Sequence, residues 1–353
     1  MPPPEFSPRQ NETERQLIHV VWMTSGLGCD GDSVAMTAAT SPRLEDLVSS
    51  TLPGTPGVVI YNPLISFESG EDFVQHWYDA EAGKLDPFLL VLEGSVPNEE
   101  INGDGHWAAF GVNRDTGQPI TTNSWIDRLA PRAAAVMAVG TCAAYGGIPA
   151  MKNNPTGAMG LRDYLGRDWS SRLGIPIVNL PGCPAQPDNI TETLLYLIMQ
   201  LAGVTPEIDL DDEGRPRWLF ERTVHESCDR AGFAEQGEFA TTLGGEHTCL
   251  VKVGCSGPMV KCNVPLRGWM NGIGGCPNVG GVCTACTSPG FPDRFMPFLE
   301  PDRLGTIAAG ATRFVYGPVL KRFRRRAMRT RYDVEPEWRR RTDRLETGYQ
   351  RRW

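Results

Sequence analysis

The chain predicts an α/β fold: a doubly wound parallel sheet in its first 200 residues, followed by a region with no regular pattern of its own. Three observations carry this. Five apolar runs recur through the first part, they are continuous rather than alternating, and beyond about residue 205 Gly, Pro, Cys and Asn displace them. Continuous runs suit strands buried on both faces, as in a parallel sheet covered by helices on either side.

The elements follow in order. "LIHVVWM" (17–23) predicts the first strand, "GVVIYNP" (57–63) the second, "FLLVLEGS" (88–95) the third, "AAVMAVGT" (134–141) the fourth and "IPIVNLPG" (175–182) the fifth. "DNITETLLYLIMQLAG" (188–203) opens on Asp and Asn, keeps helical spacing and closes on Gly, so it predicts a helix. Strands spaced by helical or loop material make a flavodoxin-like domain over 16–204, preceded by an extension over 1–15. A second domain over 205–302 is too poor in apolar pattern to build a core alone, so it needs staples. A basic tail follows over 303–353.

Composition narrows the classes. No apolar run reaches the ~18 residues that cross a bilayer. The opening "MPPPEFSPRQNETERQ" has neither a secretory pattern nor a twin arginine. A cytoplasmic protein without a leader is the expectation. Residues 321–353 hold thirteen Lys and Arg against five Asp and Glu, a net of +8 in a chain of −8, so the rest sums to −16. That tail suits anionic lipid, and so peripheral membrane association, or an acidic patch on a partner. No nucleic-acid reader motif accompanies the charge, and no nucleic acid is expected.

The chain has ten cysteines, and in a reducing compartment clustered thiols more often bind metal than pair. Cys29, Cys142 and Cys183 each stand just past the carboxyl end of a predicted strand, the edge where open α/β sheets bind ligands. Three thiolates converging there suit an iron–sulfur cluster short of one ligand. Asp32 stands three residues after Cys29, where a C-x-x-C partner would be, and reads as the fourth ligand, with Asp30 as its rival. Gly26, Gly28 and Gly31 also spell a G-x-G-x-x-G phosphate loop after a strand. Against that reading, Asp30 and Asp32 would set negative charge beside a pyrophosphate, and the second strand ends in "YNP" with no acid for a ribose.

The other seven cysteines lie between 228 and 286: "HESC" (225–228), Cys249 and Cys255 in "CLVKVGCSGP", Cys262, Cys276, and "CTAC" (283–286). A zinc ribbon wants two C-x-x-C pairs, and only one is present. Seven thiolates and His225, three residues before Cys228, make eight ligands, enough for two four-ligand sites.

Taken in order, "LEGSVP", "GTCAAYGG", "PGCP", H-x-x-C, "CLVKVGCSGP" and C-x-x-C resemble the small subunit of nickel–iron hydrogenases, from the first strand to about residue 300. The resemblance implies an electron-transfer subunit that works beside a large subunit holding the nickel–iron centre. It implies a proximal cluster on Cys29, Cys142 and Cys183, a medial one on Cys262, Cys283 and Cys286, and a distal one on His225, Cys228, Cys249 and Cys255. Three [4Fe-4S] clusters are expected, since Cys276 stands beside Pro277 where many relatives have a proline and a three-iron medial cluster. Asp32 replaces the usual second cysteine of the first motif. Gly31 and Gly147 match the positions of two extra cysteines in oxygen-tolerant membrane-bound relatives, so their special proximal cluster is not expected. These departures resemble the actinobacterial-type uptake branch, whose members tolerate oxygen.

On that basis the chain is expected to relay electrons from hydrogen oxidation to an acceptor such as a quinone or cytochrome, within a dimer of heterodimers or a larger assembly. A hydrogen-sensing regulatory subunit and a non-hydrogenase iron–sulfur carrier are the alternatives. Neutral His225 makes the distal site less negative and easier to reduce, whereas Asp32 is a harder donor than thiolate. Glu93, ending the third strand on the same edge, is either a proton-handling or ligand-supporting group or an ordinary strand-end carboxylate.

Overall fold

The computed structural model describes residues 17–299 except 50, 104 and 246. The predicted N-terminal extension and the basic tail lie outside the described residues.

The chain runs β1 (Leu17–Thr24), α1 (Gly31–Met36), α2 (Leu44–Val48), β2 (Gly57–Tyr61), α3 (Gly70–Glu81), β3 (Phe88–Glu93), β4 (Ala109–Val112), β5 (Pro119–Thr121), α4 (Thr122–Leu129), β6 (Ala135–Val139), α5 (Gly140–Tyr145), α6 (Leu161–Leu165), β7 (Val178–Leu180) and α7 (Pro187–Leu201). Five strands form one sheet in the order β2-β1-β3-β6-β7, with every pairing parallel. This is the flavodoxin-like order, with its switch point between β1 and β3.

All five predicted strands and the predicted helix are present, and the strands stop where the backbone requires it. β3 ends at Gly94 and β6 at Gly140, whose φ values of +86° and +81° a side chain resists. The β4–β5 hairpin and helices α3 and α4 were not among the expected elements.

The core is split by the sheet. Val21, Met23, Leu90, Leu92, Val136 and Ala138 face one cluster, which Phe73, Val74 and Trp77 of α3 and Trp125, Ile126 and Leu129 of α4 complete. Ile18, Val20, Trp22, Leu89, Val91 and Met137 face the other, covered by Ala35 and Met36 of α1 and Ile190, Leu194 and Leu197 of α7. Alternate residues of each strand thus go to opposite faces, and both faces are apolar, which is why the runs read as continuous.

Among the described residues beyond 205, regular structure is confined to three short helices, Arg217–Phe220, Ala231–Gln236 and Val264–Arg267, and a few 3₁₀ turns. Its apolar clusters are small: Val224, Val260, Cys262, Val264, Cys283 and Ala285 in one, Ala240, Leu250 and Val282 in the other.

Candidate metal centres

The loops leaving β1, β6 and β7 converge at the carboxyl edge of the sheet. Glycine makes the approach possible: a methyl group on Gly28 would stand 3.0 Å from the Gly94 Cα, and one on Gly31 would stand 3.0 Å from the Cys29 Sγ. The glycines of the candidate phosphate loop thus serve close loop packing here.

Asp32 belongs to α1 and is buried. Its Oδ1 accepts from the Ala185 N–H at 2.7 Å, just beyond Cys183. Its Oδ2 lies against Gly140, where a Cβ would meet it at 2.0 Å. Only glycine fits there, two residues before Cys142. Burial pushes the Asp32 carboxyl up to about 7, the Ala185 N–H opposing and the Glu93 charge adding to the rise. The charges of Asp32 and Cys183 reach the Cys142 thiol, which burial pushes up to about 12. Burial, Cys29 and Asp32 together raise the Cys183 thiol. The structure therefore brings Cys29, Cys142, Cys183 and Asp32 together. Asp30 is instead the left-handed residue that opens α1, with φ 54°, and its side chain caps nothing.

Glu93 is buried at the end of β3, between Thr24 of β1 and Val139 of β6 in register. Its carboxylate accepts from the Asp32 N–H at 2.8 Å, the Ser33 N–H at 3.1 Å and the Trp22 indole at 3.0 Å, and from the Ser33 hydroxyl. Asn62 donates to that hydroxyl at 2.8 Å. Glu93 thus ties the Cys29–Asp32 loop to the sheet.

In the second region, His225, Cys228, Cys249 and Cys255 all line one cavity, with Arg230, Leu250 and Pro277 among its walls. Burial pushes Cys228 up to about 11 and also raises Cys249 and Cys255, which the Arg230 charge opposes. Cys262, Cys276, Cys283 and Cys286 form the other set. Burial pushes Cys262 up to about 11, with Cys276 adding to it, and raises Cys286, on which Cys262 and Cys276 both act. Cys283 is raised well above the ordinary thiol range by burial and by Cys255, Cys286 and Cys262.

Direct hydrogen bonds join the three sets. The Thr141 hydroxyl, beside Cys142, donates to the Cys286 carbonyl and accepts from the Gly182 N–H at 3.0 Å, beside Cys183. The Cys283 N–H donates to the Cys255 Sγ at 3.3 Å, and the Ser256 N–H to the Cys283 carbonyl at 2.9 Å. The sets therefore stand in a row: Cys29 to Cys183, then Cys262 to Cys286, then His225 to Cys255.

The donor sets suit iron–sulfur clusters. All ten cysteines are free, and burial makes a bare thiolate costly at Cys142, Cys183 and the seven cysteines beyond residue 205, so cations must repay the ionisation. Among the described residues no three His, Cys, Asp or Glu side chains converge tightly enough to hold a single ion. Ligands of a four-iron cube bind four different irons and stand further apart. Sequence reasoning missed Gly140, Thr141, Ser33 and Arg230. Gly140 and Thr141 lie inside the "GTC" motif and Arg230 two residues after Cys228, which was the available signal.

The chain matches two family models. One, for the C-terminal part of the NiFe/NiFeSe hydrogenase small subunit, covers residues 220–299; the other, "NADH ubiquinone oxidoreductase, 20 Kd subunit", covers 29–197. The chain is 33% identical to the periplasmic [NiFeSe] hydrogenase small subunit of Desulfomicrobium baculatum over 79% of this chain and 86% of that one. It is 31% identical to the Hydrogenase-2 small chain of Escherichia coli (strain K12), over 80% and 70%. Among solved structures it is similar to an actinobacterial-type NiFe-hydrogenase from Ralstonia eutropha H16, with 55% identity, coverage of 92% and 94%, and a TM-score of 0.83.

Proposed function

Because the chain belongs to the small-subunit family of nickel–iron hydrogenases, we propose that it relays electrons from hydrogen oxidised in the large subunit, through three [4Fe-4S] clusters, to an acceptor of quinone or cytochrome type. The observation that carries this reading is the hydrogen-bonded row of three donor sets, Thr141 to Cys286 and Cys283 to Cys255. When bound, such clusters take up and release single electrons.

Cys29, Asp32, Cys142 and Cys183 hold the proximal cluster; Cys262, Cys276, Cys283 and Cys286 the medial one; His225, Cys228, Cys249 and Cys255 the distal one. The first set lies in the sheet domain, 16–204, and the other two in the domain over 205–302. The Ala185 N–H orients the Asp32 carboxylate through Oδ1, and the carboxylate would supply the one oxygen ligand of that cluster. Glu93 positions Asp32 by fixing its backbone and that of Ser33. At Gly31 and Gly147 a Cβ would meet the Cys29 and Cys142 sulfurs at 3.0 and 2.8 Å, so cysteines there would join the proximal site. Glycine leaves an ordinary four-iron cluster, and oxygen tolerance of the actinobacterial type must then rest on other features.

Cys29 and Cys183 are exposed in this chain, and so is Val34 of α1, exposure that supports a large subunit covering this face. A dimer of heterodimers, in the cytoplasm or at the membrane's cytoplasmic face through the basic tail, completes the proposal. Ten free cysteines suit a reducing compartment. Among the described residues no helix is long and apolar enough to cross a membrane.

Co-expression with the large subunit tests the reading. The pair should contain nickel and iron and reduce a dye with hydrogen, while this chain alone should not. Turnover by the isolated chain, or a pair without iron in this subunit, would end it.

A further inference from the structure

Arg230 is buried, yet among the described residues no carboxylate pairs with it. The adjacent Asp229 faces His247 at 3.3 Å. Arg215, the other buried arginine among the described residues, has Asp211 at 2.7 Å. Arg230 instead spans two cysteine loops. Its Nε donates to the Pro277 carbonyl at 2.8 Å, one residue past Cys276, and its Nη1 to the Thr248 carbonyl at 3.0 Å, one residue before Cys249. Its backbone N–H reaches the Cys228 Sγ at 3.4 Å, and the residue lines the cavity shared by His225, Cys228, Cys249 and Cys255. Two neutral carbonyls orient a guanidinium but do not balance its charge, and a buried charge without a counter-charge is unfavourable.

We propose that Arg230 is a positioning residue whose fixed positive charge, wedged between the distal and medial sites, raises the reduction potentials of both and of the distal site most. This rests on the cluster assignment above. A thiolate-ligated cluster is anionic and gains a further negative charge on reduction, so a nearby cation favours the reduced form. The distal site gains more, because Arg230 adjoins Cys228 through its backbone and Cys249 through the Thr248 carbonyl, and its charge acts on the Cys249 and Cys255 thiols. The effect biases electrons outward, from medial to distal. The same fork ties the two loops, so Arg230 also fixes their separation.

The test uses the assembled enzyme and two variants, with iron content and spin-resonance-monitored redox titration as readouts. Arg230→Gln removes the charge and keeps a donor. Arg230→Lys keeps the charge and loses the fork. With clusters intact, Arg230→Gln should lower the distal reduced-to-oxidised ratio at fixed potential about tenfold, equivalent to about 59 mV for one electron, and the medial ratio by less. Arg230→Lys should keep the distal ratio close to that of the unmodified enzyme. Unchanged potentials in Arg230→Gln would overturn the proposal. So would an Arg230→Lys shift as large as the loss of a whole charge, and this arm decides the matter even where the Gln variant fails to load iron. Unmodified enzyme lacking a distal or medial cluster would instead refute the cluster assignment itself, an outcome visible in the iron count before any potential is read.

Discussion

The two regions hold their candidate ligands by opposite means. Up to α7 the candidate ligands hang on loops of a sheet whose faces each bury a large apolar cluster, and Glu93, Gly140 and Ala185 place Asp32. Beyond residue 205 the apolar clusters are small, and Cys262 and Cys283 are members of one of them. There two candidate ligands help to make the core. The first region can preorganise a site; on the proposed cluster assignment, the second would be organised by what its cysteines bind.

The sharpest way to break this comparison is to remove iron. Chelation of the unfolded and refolded chain should leave residues 205–299 exchanging amide hydrogens freely, while β1, β3 and β6 stay protected. Equal protection of both regions in iron-free protein would show that the second needs no staple. Next in size is Leu90→Ala, which opens a cavity in the buried sheet and should cost about 2–5 kcal/mol in chemical denaturation. Its effect should appear with or without iron.

Glu93→Gln keeps the shape but turns an acceptor-only group into one that also donates, towards the Asp32 and Ser33 N–H groups. A cost of about 1–3 kcal/mol is expected, measured by thermal unfolding, with a shifted proximal spectrum and unaltered medial and distal ones. Smaller still for stability, Cys276→Pro should convert the medial cluster to three irons with its own spin-resonance signal. If the unmodified protein already shows that signal stoichiometrically, Cys276 is not a ligand.

The same contrast governs what could be read beforehand. The strands were legible because burial on both faces writes itself as continuous apolar runs, and α7 because its first turn and closing glycine punctuate it. Helix α3 was less so, since its buried Phe73, Val74, Trp77 and Ala80 are scattered among Glu, Asp, Gln and His. The candidate ligands stood out by spacing and by their place after strands. Their supports did not. Glu93 works through backbone N–H groups some 60 residues away, which carry no side-chain signature. Arg230 works through the carbonyls of Thr248 and Pro277, equally silent in sequence.

The most direct measurement is the electron density at the edge of β1, β6 and β7 in the anaerobically purified heterodimer. The account predicts a four-iron cluster there with three sulfur ligands, Cys29, Cys142 and Cys183, and one carboxylate oxygen, from Asp32. Asp32→Cys should keep four irons with a shifted potential, and Asp32→Ala should leave one iron open to water or lost. A cluster whose fourth iron is bound by any other group, or an edge with no cluster at all, would contradict it.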